Sequence, residues 1–145
     1  MINLSSLDLN NKNLVIRVDM NVPIKDGNVL DSTRIQACLS TIEYALENNA
    51  KVLLIGHLGR PIEGNFKEEF SLKPVANELS KIINMDVELI DTLESSKIFK
   101  SSSNIQVLEN IRFFKGEKEN SQELGNKLGS LGDIYVFDAF GTAHR

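Results

Sequence analysis

The side chains best suited to chemistry in this sequence are arginines and histidines in the segments that follow short apolar runs. His57 and Arg60 follow one such run, Arg112 follows another, and His144 and Arg145 follow the last. Guanidinium and imidazole groups donate charge-assisted hydrogen bonds to phosphate and carboxylate oxygens. If the fold brings them together, they predict a site for a small phosphorylated anion.

A fourth arginine, Arg34, lies at the start of the first predicted helix. The helix N-terminus already carries about half a positive charge, so a cation there costs a few tenths to about 1 kcal/mol. In the simpler interpretation, the nearby carboxylate of Asp31 offsets this cost. In the other interpretation a bound anion offsets it, because a helix N-terminus beside an arginine favours anions.

Several signatures of other chemistry are absent from these 145 residues. The sequence contains neither G-x-x-x-x-G-K-[ST] nor G-x-G-x-x-G, the two common phosphate-binding loops of nucleotide sites. No Ser, Cys or Lys is paired with a recognisable base, and the Asp and His residues lack metal-ligand spacing. We therefore expect no metal or cofactor site in this chain. Cations without a nucleophile suit phosphoryl transfer, where catalysis consists mainly of positioning and charge stabilisation.

Composition excludes several classes of protein. Sixteen Lys and Arg residues against twenty Asp and Glu residues give a formal net charge of −4, so we expect no binding to nucleic acid or to an anionic membrane. The single cysteine, Cys38, excludes an internal disulfide and is interpreted as a core residue. The apolar runs are far shorter than the roughly 20 residues of a membrane span, and the start lacks a signal-peptide pattern. A cytoplasmic location is the expectation.

The apolar pattern predicts the elements that must position these side chains. Five short apolar runs predict strands buried on both faces of a parallel sheet: residues 14–18, 52–55, 87–90, 105–108 and 134–137. Helical spacing predicts helices at about 33–49, 72–83 and 122–131. Asp31 or Ser32 is the expected cap of the first helix, and Ser71 that of the second. An Asp-Gly pair within residues 22–29 predicts a small hairpin, and residues 94–104 are interpreted as a polar connection.

This order predicts an α/β fold with a doubly wound, Rossmann-like parallel sheet in three layers and a small hairpin after the first strand. A chain of 145 residues is long enough for one such domain. Ligands of open parallel sheets bind beyond the carboxyl ends of the strands. The residues that follow four of the five predicted strands are therefore the candidates for a common site: Asp19 and Asn21; His57, Leu58, Gly59 and Arg60; Glu109, Asn110 and Arg112; and Asp138, Gly141, Thr142, His144 and Arg145.

Five motifs in fixed order resemble the N-terminal blocks of the phosphoglycerate kinase family. They are RVDMNVP at residues 17–23, D-x-x-R-I at 31–35, HLGRP at 57–61, LENIRF at 108–113 and DAFGTAHR at 138–145. Together they extend over essentially the whole chain. Two flanking positions depart from the family pattern, because Met20 stands where Phe is common and Gly56 where Ser is commoner.

The resemblance implies a glycolytic, hinge-bending transferase that moves a phosphoryl group reversibly between 1,3-bisphosphoglycerate and ADP. It implies a monomer whose N-terminal domain binds 3-phosphoglycerate or 1,3-bisphosphoglycerate and whose C-terminal domain binds Mg-ADP or Mg-ATP. Arg34 resembles the catalytic arginine that steadies the transferred phosphoryl group. The implied substrate site comprises Asp19, Asn21, Arg34, His57, Leu58, Gly59, Arg60, Arg112 and Arg145.

On this resemblance, residues 1–145 are expected to be the N-terminal 3-phosphoglycerate-binding domain, truncated at its C-terminal end, with the nucleotide-binding domain absent. Such a chain is expected to be inactive alone. One alternative is a stand-alone module that binds a phosphorylated anion or regulates without catalysis. A flavodoxin-like receiver domain built around Asp19 or Asp138 is disfavoured, because such sites bind Mg²⁺ with clustered acids.

Overall fold

A five-stranded parallel sheet lies at the centre of the molecule. The structure is a computed structural model, and it describes residues 4–18, 20–56, 58, 68–92, 97–100, 102–113, 127 and 130–137. In chain order the strands are β1 (Asn13–Arg17), β2 (Ile24–Lys25), β3 (Asn28–Val29), β4 (Lys51–Ile55), β5 (Val87–Ile90), β6 (Ile105–Leu108) and β7 (Ile134–Phe137). The sheet order is β5-β6-β4-β1-β7, and β2 and β3 form a separate antiparallel hairpin.

All five predicted sheet strands are confirmed, with small changes at two of them. β1 begins and ends one residue earlier than predicted, and β4 begins one residue earlier. The cause lies at the amino end of both strands, where Asn13 pairs with Lys51 in the parallel ladder. Backbone hydrogen bonds extend the ladder through these two polar residues, which an apolar pattern cannot detect.

The strands alternate between two covered faces, as the α/β prediction requires. Leu14 and Ile16 of β1 pack in the core beneath the helices, whereas Val15 points to the opposite face, where Ile98 and Phe99 cover it. The helices are α1 (Thr33–Ala37), α2 (Leu39–Glu47) and α3 (Lys73–Ile83). The sheet is therefore covered on both faces.

The first predicted helix is wrong in one respect, because it is two helices that meet at Cys38. The backbone N–H of Cys38 donates to the Ile35 carbonyl at 3.2 Å, a tight bond three residues back. The Cys38 thiol donates to the same carbonyl at 3.0 Å. This competition for one acceptor interrupts the regular helical bonding. As predicted, the Cys38 side chain is buried in the core.

The start of α3 also differs from the prediction by one residue. Leu72, not Ser71, is the N-cap residue, and it makes no side-chain cap hydrogen bond. Ser71 lies just before it, and its hydroxyl accepts from the Lys73 N–H at 3.1 Å. A carboxylate from a distant part of the chain, Glu109, accepts from the Leu72 N–H at 2.6 Å. A helix cap supplied from 37 residues away has no local sequence signal.

The prediction of the hairpin is confirmed, whereas the prediction of a polar connection is confirmed only in part. The hairpin is confirmed, with Asp26 and Gly27 in the left-handed region at φ 53° and 77°, as a tight two-residue turn requires. The described part of the connection is less polar than expected, because Ile98 and Phe99 are buried against the sheet. The helix predicted at 122–131 lies mostly outside the described residues. No helix among the described residues has the length and apolarity to cross a membrane.

Candidate functional site

The loops that follow three neighbouring strands are in direct contact at the carboxyl edge of the sheet. After β1, the Val18 N–H donates to the Ile55 carbonyl of β4 at 3.0 Å. After β6, the Ile111 N–H donates to the Gly56 carbonyl at 3.0 Å. The chain segments that carry three of the predicted motifs are therefore joined by backbone hydrogen bonds.

Gly56 allows the first two of these loops to approach closely. A Cβ atom at this position would lie 2.6 Å from the Val18 carbonyl oxygen and 3.2 Å from Cγ of Met20. The first contact is with backbone, which cannot move aside as a side chain can. Met20 is itself buried at 2% exposure. The two positions that depart from the resembled motifs are thus neighbours in space.

Two predicted site residues, Asn21 and Arg34, lie side by side. The Arg34 guanidinium donates from Nη1 to the Asn21 carbonyl oxygen at 3.2 Å. Both side chains are exposed. Asn21 follows the end of β1 and Arg34 lies in the first turn of α1, so this contact holds a cation beside the carboxyl end of β1.

The carboxylate of Asp31 also lies at this helix start, and its partners show what it does there. Its Oδ1 accepts from the Thr33 hydroxyl at 2.6 Å and from the Thr33 N–H at 2.9 Å. These hydrogen bonds lower the pKa of Asp31 below its usual value, and the charge of Arg34 adds a smaller contribution in the same direction. Asp31 therefore caps the helix first and compensates Arg34 second. Ser32 occupies the N-cap position without a side-chain cap hydrogen bond.

Leu58 is the one residue of the HLGRP motif that the structure describes, and both its side chain and its carbonyl group are held in place. Its side chain is buried in the core at 5% exposure, and its carbonyl oxygen accepts from Nδ2 of Asn110 at 2.8 Å. A substrate contact through Leu58 would therefore use its backbone N–H. That contact stays a prediction.

A buried polar cluster, formed by Ser71, Glu109 and Asn110, lies behind Leu58. Glu109 is 4% exposed, and its Oε1 accepts from the N–H groups of Leu72 at 2.6 Å and Asn110 at 3.0 Å. Its Oε2 accepts from the Ser71 hydroxyl at 2.7 Å. A buried carboxylate is costly unless hydrogen bonds replace its hydration, and here three donors do so.

The sequence pattern placed Glu109 and Asn110 at the sheet edge but assigned them no role. The sequence feature that could have indicated a role is that these two consecutive polar residues lie between the strand β6 and the apolar Ile111. Polar residues enclosed by apolar ones in this way indicate buried hydrogen bonding, because unpaired polar groups are rare in a core. The distant partners of these two residues lie 37 to 52 positions away, so the sequence could not identify them.

Of the remaining predicted site residues, the structure describes the backbone of Arg112. Arg112 lies in the 3-10 turn Ile111–Phe113, directly after the Ile111 contact with Gly56. The other predicted positions lie outside the described residues: Asp19, His57, Gly59, Arg60 and Arg145. Their assignments remain predictions.

A cavity of about 1320 Å³ lies between the hairpin, the N-terminus of α3 and the ends of β5 and β6. Its described lining carries one lysine, Lys73, and five carboxylates: Asp26, Glu68, Glu69, Asp91 and Glu109. Neither Asn21 nor Arg34 lines it. The described part of this lining is therefore acidic, whereas the edge at Arg34 presents a cation.

Among the residues that the structure describes, no three His, Cys, Asp or Glu side chains are grouped to hold a metal ion. The described edge offers a guanidinium and backbone groups, which can bind and neutralise an anion but cannot attack it.

Comparison with known proteins yields one family. The family model described as phosphoglycerate kinase matches residues 4–145. A phosphoglycerate kinase of Vibrio campbellii is 49% identical over 146 residues, which cover 100% of this chain and 37% of that protein. One of Desulfovibrio desulfuricans is 48% identical over 142 residues, covering 98% of this chain and 36% of the relative.

Solved structures show the same likeness in three dimensions. The structure of phosphoglycerate kinase from Coxiella burnetii matches with a TM-score of 0.86 and 46% identity, over 99% of this chain and 36% of that one. The crystal structure of the kinase from Pyrococcus horikoshii matches with a TM-score of 0.81 and 35% identity, over 100% of this chain and 38% of that one. The chain spans a little more than a third of the length of these proteins.

Proposed function

Because this chain belongs to the phosphoglycerate kinase family, we propose that it binds 3-phosphoglycerate or 1,3-bisphosphoglycerate and forms the acceptor-substrate half of that enzyme. The half that binds Mg-ADP or Mg-ATP then lies in sequence that these 145 residues do not contain. The absence of a nucleotide-binding motif within the chain supports this division. As a glycolytic enzyme it would act as a monomer in the cytoplasm.

One observation carries the proposal. The exposed guanidinium of Arg34 is held against the Asn21 carbonyl at 3.2 Å, beside the joined loops of β1, β4 and β6. A cation fixed at the carboxyl edge of a parallel sheet lies where ligands of such sheets bind. The described lining of the neighbouring cavity is acidic, which favours the edge at Arg34 as the place for an anion.

In the proposed reaction, a carboxylate oxygen of 3-phosphoglycerate attacks the γ-phosphorus of ATP. A new P–O bond forms, the bond to the ADP oxygen breaks, and ADP leaves with the electron pair of that bond. The reverse reaction regenerates ATP. The attacking group belongs to the substrate, which agrees with the lack of a recognisable nucleophile in the sequence. Arg34 would stabilise the charge spread over the transferred phosphoryl oxygens.

The remaining proposed contacts hold the substrate. His57, Arg60, Arg112 and Arg145 would bind the 3-phosphate, while Asp19 and Asn21 would contact the hydroxyl and carboxylate end. Backbone N–H groups at Leu58 and Gly59 would complete the set. These groups bind the ground state and the transition state alike, so their loss should raise KM more than it lowers kcat.

A chimaeric enzyme tests the proposal. The chain would replace the matched N-terminal part of the Vibrio campbellii relative, with which it is 49% identical. We expect ATP-dependent turnover of 3-phosphoglycerate by the chimaera in a coupled assay, and none by the 145-residue chain alone, because domain closure supplies the donor and excludes water. Within the chimaera, Arg60→Ala and Arg112→Ala should mainly raise KM.

The intact relative serves as the control for the assay. A chimaera that folds and binds nucleotide but neither binds 3-phosphoglycerate nor turns it over would contradict the proposal. If the chimaera binds 3-phosphoglycerate without any turnover, this result supports the alternative of a non-catalytic anion-binding module. Turnover by the chain alone would contradict the division of the site between two halves.

A further inference from the structure

Asn110 holds together two segments that are distant in sequence. The residue is completely buried at 0% exposure, and its Nδ2 donates to the Leu58 carbonyl at 2.8 Å and to the Phe70 carbonyl at 2.9 Å. A side-chain amide has two N–H donors on that nitrogen, and each has its own acceptor here. One acceptor lies in the loop after β4 and the other lies just before α3.

The surroundings of Asn110 fix its own position. Its backbone N–H donates to Oε1 of Glu109 at 3.0 Å, and the same oxygen accepts from the Leu72 N–H at 2.6 Å. On its other side, the N–H of Ile111 donates to the Gly56 carbonyl at 3.0 Å. The end of β6 is therefore fastened both to α3 and to the end of β4, and Asn110 extends that attachment to Leu58.

Leu58 stands between His57 and Gly59 in the sequence, with Arg60 one residue further on. We propose that Asn110 is a positioning residue that fixes the backbone of Leu58, within the motif proposed to bind the phosphate of the substrate, without touching the substrate itself. This rests on the function proposed above, which places His57 and Arg60 on that phosphate.

The chemistry of the site explains why an amide is suited to this task. Both partners are carbonyl oxygens, so the side chain must donate twice from one nitrogen. An aspartate would place a carboxylate oxygen against two carbonyls, and an apolar residue would leave both carbonyls without this donor inside the core. The loop after β4 would then keep its covalent path but lose a fixed point beside two proposed ligand-binding residues.

Gln106 offers a matched control on the same strand. It is also a buried amide, at 1% exposure, and its Nε2 donates to Oε1 of Glu88 at 2.7 Å and to the Lys97 carbonyl at 3.3 Å. Its Oε1 accepts from the Phe99 N–H at 2.7 Å. These partners lie in β5 and in the segment covering the other face of the sheet, away from the proposed site. A general loss of stability should therefore follow from either substitution, and a loss of ligand affinity from only one.

The test compares Asn110→Ala with Gln106→Ala in the 145-residue chain and in the chimaeric enzyme, each at a temperature where the variant is folded. For Asn110→Ala we expect the Kd for 3-phosphoglycerate, measured by calorimetry, to rise about tenfold, in line with a displaced binding loop. In the chimaera KM should rise similarly while kcat changes less than about threefold. Gln106→Ala should leave Kd and KM within about twofold.

Each other outcome has a definite meaning. Equal Kd values for Asn110→Ala and Gln106→Ala would overturn the positioning role. Asn110→Ser is a milder substitution that keeps one donor. If Asn110→Ala and Asn110→Ser both unfold while Gln106→Ala folds, the positioning role is also overturned. If only Asn110→Ala unfolds, an unchanged Kd in Asn110→Ser overturns the role and a raised Kd supports it. Failure of the unsubstituted chain and chimaera to bind 3-phosphoglycerate would instead count against the proposed function, so the two failures are distinguishable.

Discussion

Two polar regions lie at the same edge of the sheet and differ in nearly every physical respect. The members of the buried polar cluster, Ser71, Glu109 and Asn110, are at most 6% exposed, and its carboxylate and amide meet their partners at 2.6 to 3.0 Å. The exposed pair of Asn21 and Arg34 is joined by one longer hydrogen bond, of 3.2 Å, to a backbone oxygen.

The difference separates positioning from binding. A hydrogen bond inside the core cannot be replaced by water, so losing it costs stability and frees the loops that it joins. An exposed guanidinium can exchange its partners for water or for an incoming anion at little cost. Substitutions in the buried polar cluster should therefore lower stability, and substitutions in the exposed pair should lower activity alone.

The largest effect is expected from Arg34→Ala in the chimaeric enzyme. Removal of one donor to a developing charge typically costs about 10²- to 10³-fold in kcat. Because Arg34 is exposed, the melting temperature should hardly change. Steady-state kinetics and thermal melts measure the two quantities. A fall in kcat of less than about tenfold would show that Arg34 does not have the catalytic role.

Glu109→Ala should have the opposite effect, because its main consequence should be a loss of stability. It leaves two backbone N–H groups and the Ser71 hydroxyl without their buried acceptor, which should cost about 3 kcal/mol in the free energy of unfolding. Urea denaturation measures this loss. The matched control is Glu69→Ala, an exposed carboxylate beside the same cavity, for which we expect a change within about 0.5 kcal/mol. Equal effects of the two substitutions would show that burial does not distinguish the regions.

Gly56→Ala tests the contact between the loops of β1 and β4. The added methyl would meet the Val18 carbonyl at 2.6 Å, and the forced backbone shift should cost about 1–3 kcal/mol. Gly27→Ala is the control, because its Cβ meets nothing within 4 Å although φ is 77°. It should cost about 1 kcal/mol, through backbone conformation alone. Only Gly56→Ala should also weaken 3-phosphoglycerate binding. An unchanged affinity in Gly56→Ala would show that the contact between the two loops does not influence the binding site.

The smallest effect is expected from Asp31→Asn, and it should depend on pH. Hydrogen bonds from Thr33 lower the pKa of Asp31 in the folded chain. The ionised form therefore stabilises the fold above the ordinary aspartate pKa of about 3.9, and this contribution disappears as pH falls through the lower, folded value. Denaturation at pH 7 should show the variant slightly less stable than the wild type, with the difference shrinking towards pH 3. A difference that grows on acidification would contradict this assignment.

The sequence predicted the fold well because its signals are local. Each of the five strands is a short apolar run, and an Asp-Gly pair marks the hairpin turn. Where prediction failed, the deciding interaction was tertiary or competed with the local pattern. The Cys38 thiol and backbone share one acceptor and divide the first helix, and Glu109 caps α3 from 37 residues away.

The candidate site was predictable to a different extent. The rule for parallel sheets made Asn21 a site candidate and the helix start made Arg34 one, and the structure joins the two by a hydrogen bond. The supporting role of Asn110 could not be predicted, because its two carbonyl partners are 52 and 40 residues away. Residues that hold a ligand are marked by their chemical type, whereas residues that hold the loops are marked only by their partners.

The central claim is that a phosphorylated acid binds at the edge marked by Arg34 and not in the acidic cavity. The most direct test is a titration of the isotopically labelled chain with 3-phosphoglycerate, followed through its backbone amide signals by NMR. We predict saturable changes at Asn21, Arg34 and residues 57–60, and little change at Glu68 or Asp91 in the cavity. Changes centred on Glu68 and Asp91, or no saturable change in a folded chain, would contradict the account.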